Sequence, residues 1–313
     1  MGDSDVFGVK DPKSGKTGFC SILGEAGTYL GLAIYLGEEG LGCLDKMFTM
    51  GSKAFDDEDI LYEQDNINLL FGARNEVLPR ELEAMKRLGL KYRGSQAWPV
   101  FRRYLPGYFP WYLTDDEMEF AALVLEQVIA VSEAYRHSPE KAGPFPDGRF
   151  LVQTCENGKW SGIRVKCHPA QPRSIYLSPT PIPDDLFEKV DSPPLPRCGA
   201  WEIDVFYAAP YVNEEKGERP YFPLVMAIMD CDTVMVVSAE MAGRDSGAEV
   251  CRRKFIEVLA SLPIWPMMIR YRRDSIRDLL SPIAEHFGMS MVKCKKLPQI
   301  EDMRKHMRQA FTR

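Results

Sequence analysis

The chain has 313 residues, a net charge of −6, 45% hydrophobic residues and 27% charged residues. This length favours two domains over one core, and the ordinary apolar/charged balance excludes a collagen-like or broadly disordered chain. The N-terminus MGDSDVFGVK lacks the apolar centre of a signal peptide, Val6 breaks the myristoylation pattern, and no run of about 18 apolar residues occurs. A soluble cytoplasmic protein without a membrane partner is therefore expected.

In chain order, residues 5–10 and 17–23 are β-prone runs around the turn-forming DPKSGK, and read as a hairpin. A strand is expected at 28–36, a short helix over GEEGLGCLDKMFTM, a strand at 66–72, and a helix at 79–88 with Pro79 in its first turn. Residues 98–112, WPVFRRYLPGYFPWY, hold seven aromatics, three prolines and two adjacent arginines. A long amphipathic helix follows at 115–136. Thr114 and Glu117 form its capping box, with Leu113 and Met118 placed as a hydrophobic staple. A hairpin is expected at 149–154 and 160–166, turning at ENG. The proline-rich stretch 177–196 reads as a linker, because proline continues neither a helix nor a central strand. Beyond it come strands at 201–209, 222–230 and 233–241, a helix at 245–260, a strand at 266–272, a helix at 274–287, a strand at 289–295 and a helix at 299–311. The fold class is α+β with two domains. The first, 1–176, is a mostly antiparallel sheet with helices. The second, 197–313, is a mixed sheet covered by helices.

Several segments resemble a bacterial family of uncharacterised proteins built from two adjoining domains of unknown function. They are DSDVFGVKDPKSGKTGFCSILG, LAIYLGEEGL, AWPVFRRYLPGYFPWYL, FPLVMAIMDCDT and PIWPMMIRY. The resemblance implies a two-domain organisation and supplies no activity. After residue 200 the order of elements is similar to a ribonuclease-H-like fold. That likeness implies carboxylates on the first strand, near the end of the fourth, and on a late helix. A third strand between residues 241 and 245 is missing from the pattern, which leaves the place of strand 201–209 open.

Eight cysteines are scattered without a CxxC pair and are expected as reduced thiols. SGKT at 14–17 lacks the glycine and the following helix of a phosphate-binding loop, so it reads as a turn. No Ser-His-Asp pattern stands out, and Cys167-His168 is a loose candidate because adjacent side chains point apart. Charge is uneven. Residues 251–313 carry a balance of +8 against −14 for the first 250. Such a basic segment suits nucleic acid or the chain's own acidic half.

Two candidate sites follow. Asp230, Asp274 and Glu301 are a possible catalytic set, able to hold Mg²⁺ or Mn²⁺ if they converge beside the surrounding arginines and lysines. Trp98, Arg102, Arg103, Tyr108 and Trp111 are a possible ligand-binding set. Their aromatic stretch has three readings: packing, a groove for a peptide or small ligand, and base stacking with the arginines on phosphates. The leading functional expectation is a non-catalytic interaction or ligand-binding protein of unknown partner, without a cofactor. The alternative is a metal-dependent, nuclease-like phosphodiester-processing enzyme.

Overall fold

The computed structural model describes residues 1–2, 4–24, 30–55, 58–137, 144–145, 147–170, 187, 190, 197, 199–242 and 247–311. The chain forms two compact units, one comprising residues 1–106 and 110–174 and the other 107–109 and 175–313. Most of the proline-rich 177–196 stretch lies outside the described residues. Phe187 and Val190, which are described, pack on the core of the second unit.

The first unit holds β1 (Val6–Lys10), β2 (Thr17–Leu23), β3 (Gly31–Leu36), β4 (Asn66–Gly72), β5 (Trp98–Tyr104), β6 (Arg149–Glu156) and β7 (Lys159–Lys166). They make one sheet in the order β5-β4-β3-β2-β1-β6-β7. Every neighbouring pair is antiparallel except β1 with β6. Its helices are α1 (Gly37–Met50), α2 (Glu58–Tyr62), α3 (Pro79–Arg87) and α4 (Asp115–His137). The short α2 was not expected from the sequence.

Local chemistry accounts for most of these bounds. The Asp11 carboxylate accepts the N–H groups of Lys13 and Ser14 and the Ser14 hydroxyl, so SGKT closes a hairpin turn. Asn157 and Gly158 both take positive φ, 51° and 74°, which matches the twist of a two-residue hairpin between β6 and β7. Gly40 lets α1 approach the sheet. A Cβ there would lie 2.7 Å from the Tyr35 carbonyl carbon and 2.8 Å from the Asp65 carbonyl oxygen.

The α4 capping box is formed. Glu117 N–H donates to Thr114 Oγ1 at 3.3 Å, and Thr114 N–H donates to Glu117 Oε2 at 2.9 Å. Leu113 joins the core while Met118 is left exposed, so the staple buries one of its two members. From α4, Ala121, Val124 and Val131 pack on Phe7, Val9, Ile34 and Ile67 of one sheet face. On the other face, Leu41 and Leu44 of α1 meet Val6, Phe19 and Tyr35.

The second unit holds β8 (Ala200–Tyr207), β9 (Leu224–Asp230), β10 (Val236–Ala242), β11 (Met268–Tyr271) and β12 (Ser290–Lys293), with α5 (Gly247–Ser261), α6 (Asp274–His286) and α7 (Pro298–Phe311). The sheet order is β10-β9-β8-β11-β12. β9 is antiparallel to both neighbours, and β11 is parallel to β8 and β12. Numbered within the unit this is 3-2-1-4-5 with the second strand reversed, the ribonuclease-H-like order. It corrects one point of the sequence reading. The third strand is not missing between 241 and 245, because 236–242 is that strand, and 200–207 is the first and central one. The core is continuous, from Ile203, Val205 and Met226 to Phe255, Ile276 and Trp265, whose indole N–H donates to the Leu259 carbonyl at 2.7 Å.

Replacing Thr114 by Ala removes one acceptor from the α4 N-terminus and should cost about 1 kcal/mol. Urea denaturation followed by circular dichroism reads this directly, and an unchanged midpoint would count against the cap.

Candidate functional site

The paired arginines of the aromatic stretch point in opposite directions, as consecutive strand residues must. Both are buried. Arg102 shares a face with Val100, which clusters with Val77 and Met85 near α3. Its Nη1 lies 2.7 Å from Glu81 Oε1 and 2.9 Å from Oε2, and it also donates to the Glu76 carbonyl. Glu81 in turn accepts the Leu78 N–H at 2.8 Å, at the start of α3. Arg103 faces α4. It pairs with Asp65 at 2.7 Å and Glu117 at 2.8 Å, and donates to the carbonyls of Asn66 and Tyr104. Each arginine thus fastens the N-terminus of one helix to β5.

Arg102 and Arg103 direct these donors to the protein's own carboxylates and carbonyls. Trp98, at the start of β5, packs against Tyr92 and lies under Arg74. Trp111 forms a backbone bridge with Arg103, at the far end of β5. Tyr108 belongs to the second unit with Gly107 and Phe109, where it bridges to Tyr221 and Phe109 stacks near Tyr211 and Phe222. The five residues are therefore not gathered around one cavity within a unit.

The catalytic set is not brought together either. Asp230 pairs across the sheet with Trp201 at the end of β9, whereas Asp274 begins α6 beyond the opposite end of β8's parallel neighbour β11. Asp230 shares Trp201's face, accepts its indole N–H at 3.2 Å, and closes the following turn through Asp232 and Thr233. Those donors hold its carboxyl below the usual range despite the opposing effect of burial. Asp274 is turned to Lys293, at 2.8 Å, and Arg277, at 3.4 Å; the Lys293 contact chiefly holds its pKa low. Glu301 is exposed in the first turn of α7, at the Glu202 end of the sheet. Among the described residues, no three His, Cys, Asp or Glu side chains form a group able to hold a metal ion. Cys167 and exposed His168 assemble no nucleophile, and burial raises the Cys167 thiol pKa.

Two carboxylates that were not singled out lie at the centre of the second unit. Glu202 and Asp204 alternate along β8, so they share the face covered by α7, and both are buried. The signal was present in WEIDVFY, two acids two residues apart in an apolar strand. Glu202 accepts the N–H groups of Gln299 and Ile300 at 2.9 and 3.2 Å, at the start of α7. Desolvation by burial raises its pKa in spite of those donors and Arg270. Asp204 lies 3.2 Å from Arg273 and 3.7 Å from Arg272, and Arg273 also donates to the Val205 carbonyl. On the same face, the Arg304 guanidinium of α7 sits 4.5 Å over the Phe206 ring.

These are the places where the ribonuclease-H-like likeness implies metal carboxylates. The first strand carries two, Glu202 and Asp204. The end of the fourth strand carries Arg272 and Arg273, followed by Asp274 at the start of α6, and on the late helix Arg304 is buried while Glu301 and Asp302 are exposed. Mg²⁺ is held by converging, unneutralised oxygen ligands. Here a cation would have to displace the guanidinium groups from Asp204 and the α7 N–H groups from Glu202, so the residues present do not fit it.

Residues 1–153 match a domain of unknown function (DUF7309) and residues 187–308 match another (DUF6930). Together the two matches span most of the chain as two adjoining domains of unknown function. No curated protein matches it. Among solved structures, it is similar to the HTLV-2 integrase catalytic core domain in complex with magnesium. The trimeric form aligns over 36% of this chain and 68% of that one, at 12% identity and a TM-score of 0.27. The dimeric form aligns over 32% and 62%, at 14% identity and a TM-score of 0.24. The strand order, rather than these likenesses, places the second unit with ribonuclease-H-like folds.

Two outcomes follow from this geometry. Arg103→Ala leaves Asp65 and Glu117 without their shared partner and should cost about 3–5 kcal/mol in chemical denaturation; a loss below about 1 kcal/mol would show the pair to be dispensable. For Glu202, the raised pKa means the folded state holds its proton more tightly than the unfolded one. The group's contribution is greatest below the ordinary carboxylate pKa, about 4.3, and falls as pH rises through the raised value. Relative to Glu202→Gln, the wild type should therefore lose stability on going from mildly acid to neutral pH. A difference that grows in the opposite direction would refute the assignment.

Proposed function

We propose that the protein is a non-catalytic interaction or ligand-binding protein whose second unit uses a ribonuclease-H-like sheet as a scaffold. The observation that carries this reading is the pairing of Asp204 with Arg272 and Arg273. A buried carboxylate held by two guanidiniums is an internal ion pair, and removing either side leaves an uncompensated charge. It offers no vacant ligand for a divalent ion and no base for activating water. A shared strand order does not carry a shared chemistry.

The basic C-terminal segment supports the same reading. Several of its cations already face neighbouring acids: Lys293 with Asp274, Arg277 with Asp278, Arg253 with Glu249 and Lys254 with Glu257. Arg252 and Arg304 are buried rather than displayed. A stripe of free cations along one surface, which phosphate binding needs, is not what this arrangement favours.

The test is calorimetric titration with Mg²⁺ and Mn²⁺ to millimolar concentration, together with incubation of the protein with single- and double-stranded DNA and RNA. Neither saturable metal heat nor cleavage is expected. Metal-dependent cleavage that Asp204→Asn abolishes would overturn the proposal and restore the enzyme reading.

A further inference from the structure

Among the described residues of the first unit, part of a sheet face is left uncovered. Helix α4 packs across this face alone among the longer helices of its core cluster. Seven strands span about 30 Å at 4.8 Å spacing, whereas one helix with its side chains covers about 10 Å. α4 runs obliquely. Its first turn is tied to β5 through Glu117 and Arg103, and Ser132 near its other end lies against Met1.

The position of the gap follows from the two flanks of α4. Ala130 and Ala134 line a depression with Leu151, Gln153 and Gly162 of β6 and β7. Leu125 lies nine residues before Ala134, which is half a revolution around the helix at about 100° per residue. The Leu125 flank therefore faces the β3–β4 side. There, Phe71 shares the face of Ile67 and Leu69 by alternation. Leu30 lies beside it, its carbonyl accepting the Phe71 N–H at 3.0 Å.

Both walls of this gap are apolar and open. Leu30 is 56% exposed, Phe71 48%, Leu125 39% and Ile129 61%. Met118 and Ala122 extend the α4 wall, giving a 118-122-125-129 stripe with the 4-3-4 spacing of a helix-packing seam. Single exposed apolar residues are ordinary, but a stripe facing a second apolar wall marks an interaction surface.

Charge identifies the occupant. Beside the stripe runs an acidic crest, Glu119, Glu126 and Glu133, at seven-residue intervals. Lys13 answers Glu119 at 3.3 Å; among the described residues no ion pair engages Glu126 or Glu133. A second copy related by a two-fold axis would set this crest against itself, opposing like charges. We infer that this trough receives an amphipathic helix of a partner protein, apolar on one side and lysine- or arginine-rich along its flank. Such a helix would lie beside α4 at the usual interaxial distance of about 8–10 Å and complete the layer. This gives the interaction reading a surface and a class of partner. The two fail separately, because metal-dependent cleavage would overturn the first and leave the second standing.

The test uses the full chain and two labelled synthetic helical peptides with the same leucine stripe, one with lysine and one with glutamate at the remaining positions. Fluorescence anisotropy should show the lysine peptide binding at least about tenfold more tightly, with an affinity that falls as salt rises. Ile129→Asp and Phe71→Ser, on different elements, should each weaken it about tenfold while circular dichroism stays unchanged, a loss typical of a central interface residue. Ile163→Asp on β7 should leave it unaltered. Equal binding of the two peptides, or binding that neither trough variant reduces, would overturn the inference. So would a dimer seen by light scattering that Ile129→Asp dissolves, since that outcome assigns the trough to a second copy.

Discussion

The first unit depends on two buried guanidiniums at consecutive positions of β5. A charge taken out of water is tolerated only when nearly all of its hydrogen-bonding capacity is met inside the protein. Arg102 and Arg103 meet that condition on opposite faces of one strand. Arg102 gathers Glu81 and the Glu76 carbonyl from the α3 side, and Arg103 gathers Asp65 and Glu117 from the β4 and α4 side. Glu117 serves two purposes at once. One of its oxygens holds the Thr114 N–H of the capping box, and the other holds Arg103. The entry of α4 into the sheet is thereby set electrostatically as well as by packing, and the trough beside α4 inherits its position from that entry.

In the second unit the corresponding constraint is the central strand. β8 is buried on both faces and yet carries Glu202 and Asp204. The first is met by the N-terminus of α7 and the second by two arginines after β11. These contacts fix how α7 lies across the sheet and how the chain leaves β11. In this unit the buried carboxylates orient α7 and the chain leaving β11.

The aromatic stretch illustrates how far a local reading reaches. Its composition allowed packing, a groove for a peptide or small ligand, or base stacking with the arginines on phosphates. The arginines turned out to be the most internally committed residues in it, while its rings divide among different surroundings. Trp98 packs beside Tyr92, Trp111 bridges to the end of β5, and Tyr108 belongs with the second unit. Alternation along β5 was legible in the sequence. The partners on each side were not, because Asp65 and Glu117 lie far along the chain from Arg103 and nothing local specifies which acid folds back. Asp230, Asp274 and Glu301 were chosen for the same local reason, their places at strand and helix ends. Such ends lie on both edges of a mixed sheet, and register alone decides which edge.

By itself, the sequence determined the elements whose causes are short-range. These are the SGKT and Asn-Gly turns, the α4 cap, the strand and helix order of the second unit, and the two-domain α+β class. Each rests on dihedral preference, alternation or capping within a few residues. Tertiary structure alone decided which charges are buried together, which carboxylates meet, and which apolar residues remain open. These outcomes depend on desolvation and on register between distant strands. A one-residue change of register reverses a side chain's face, and so decides whether an acid meets an arginine, a helix N-terminus or water.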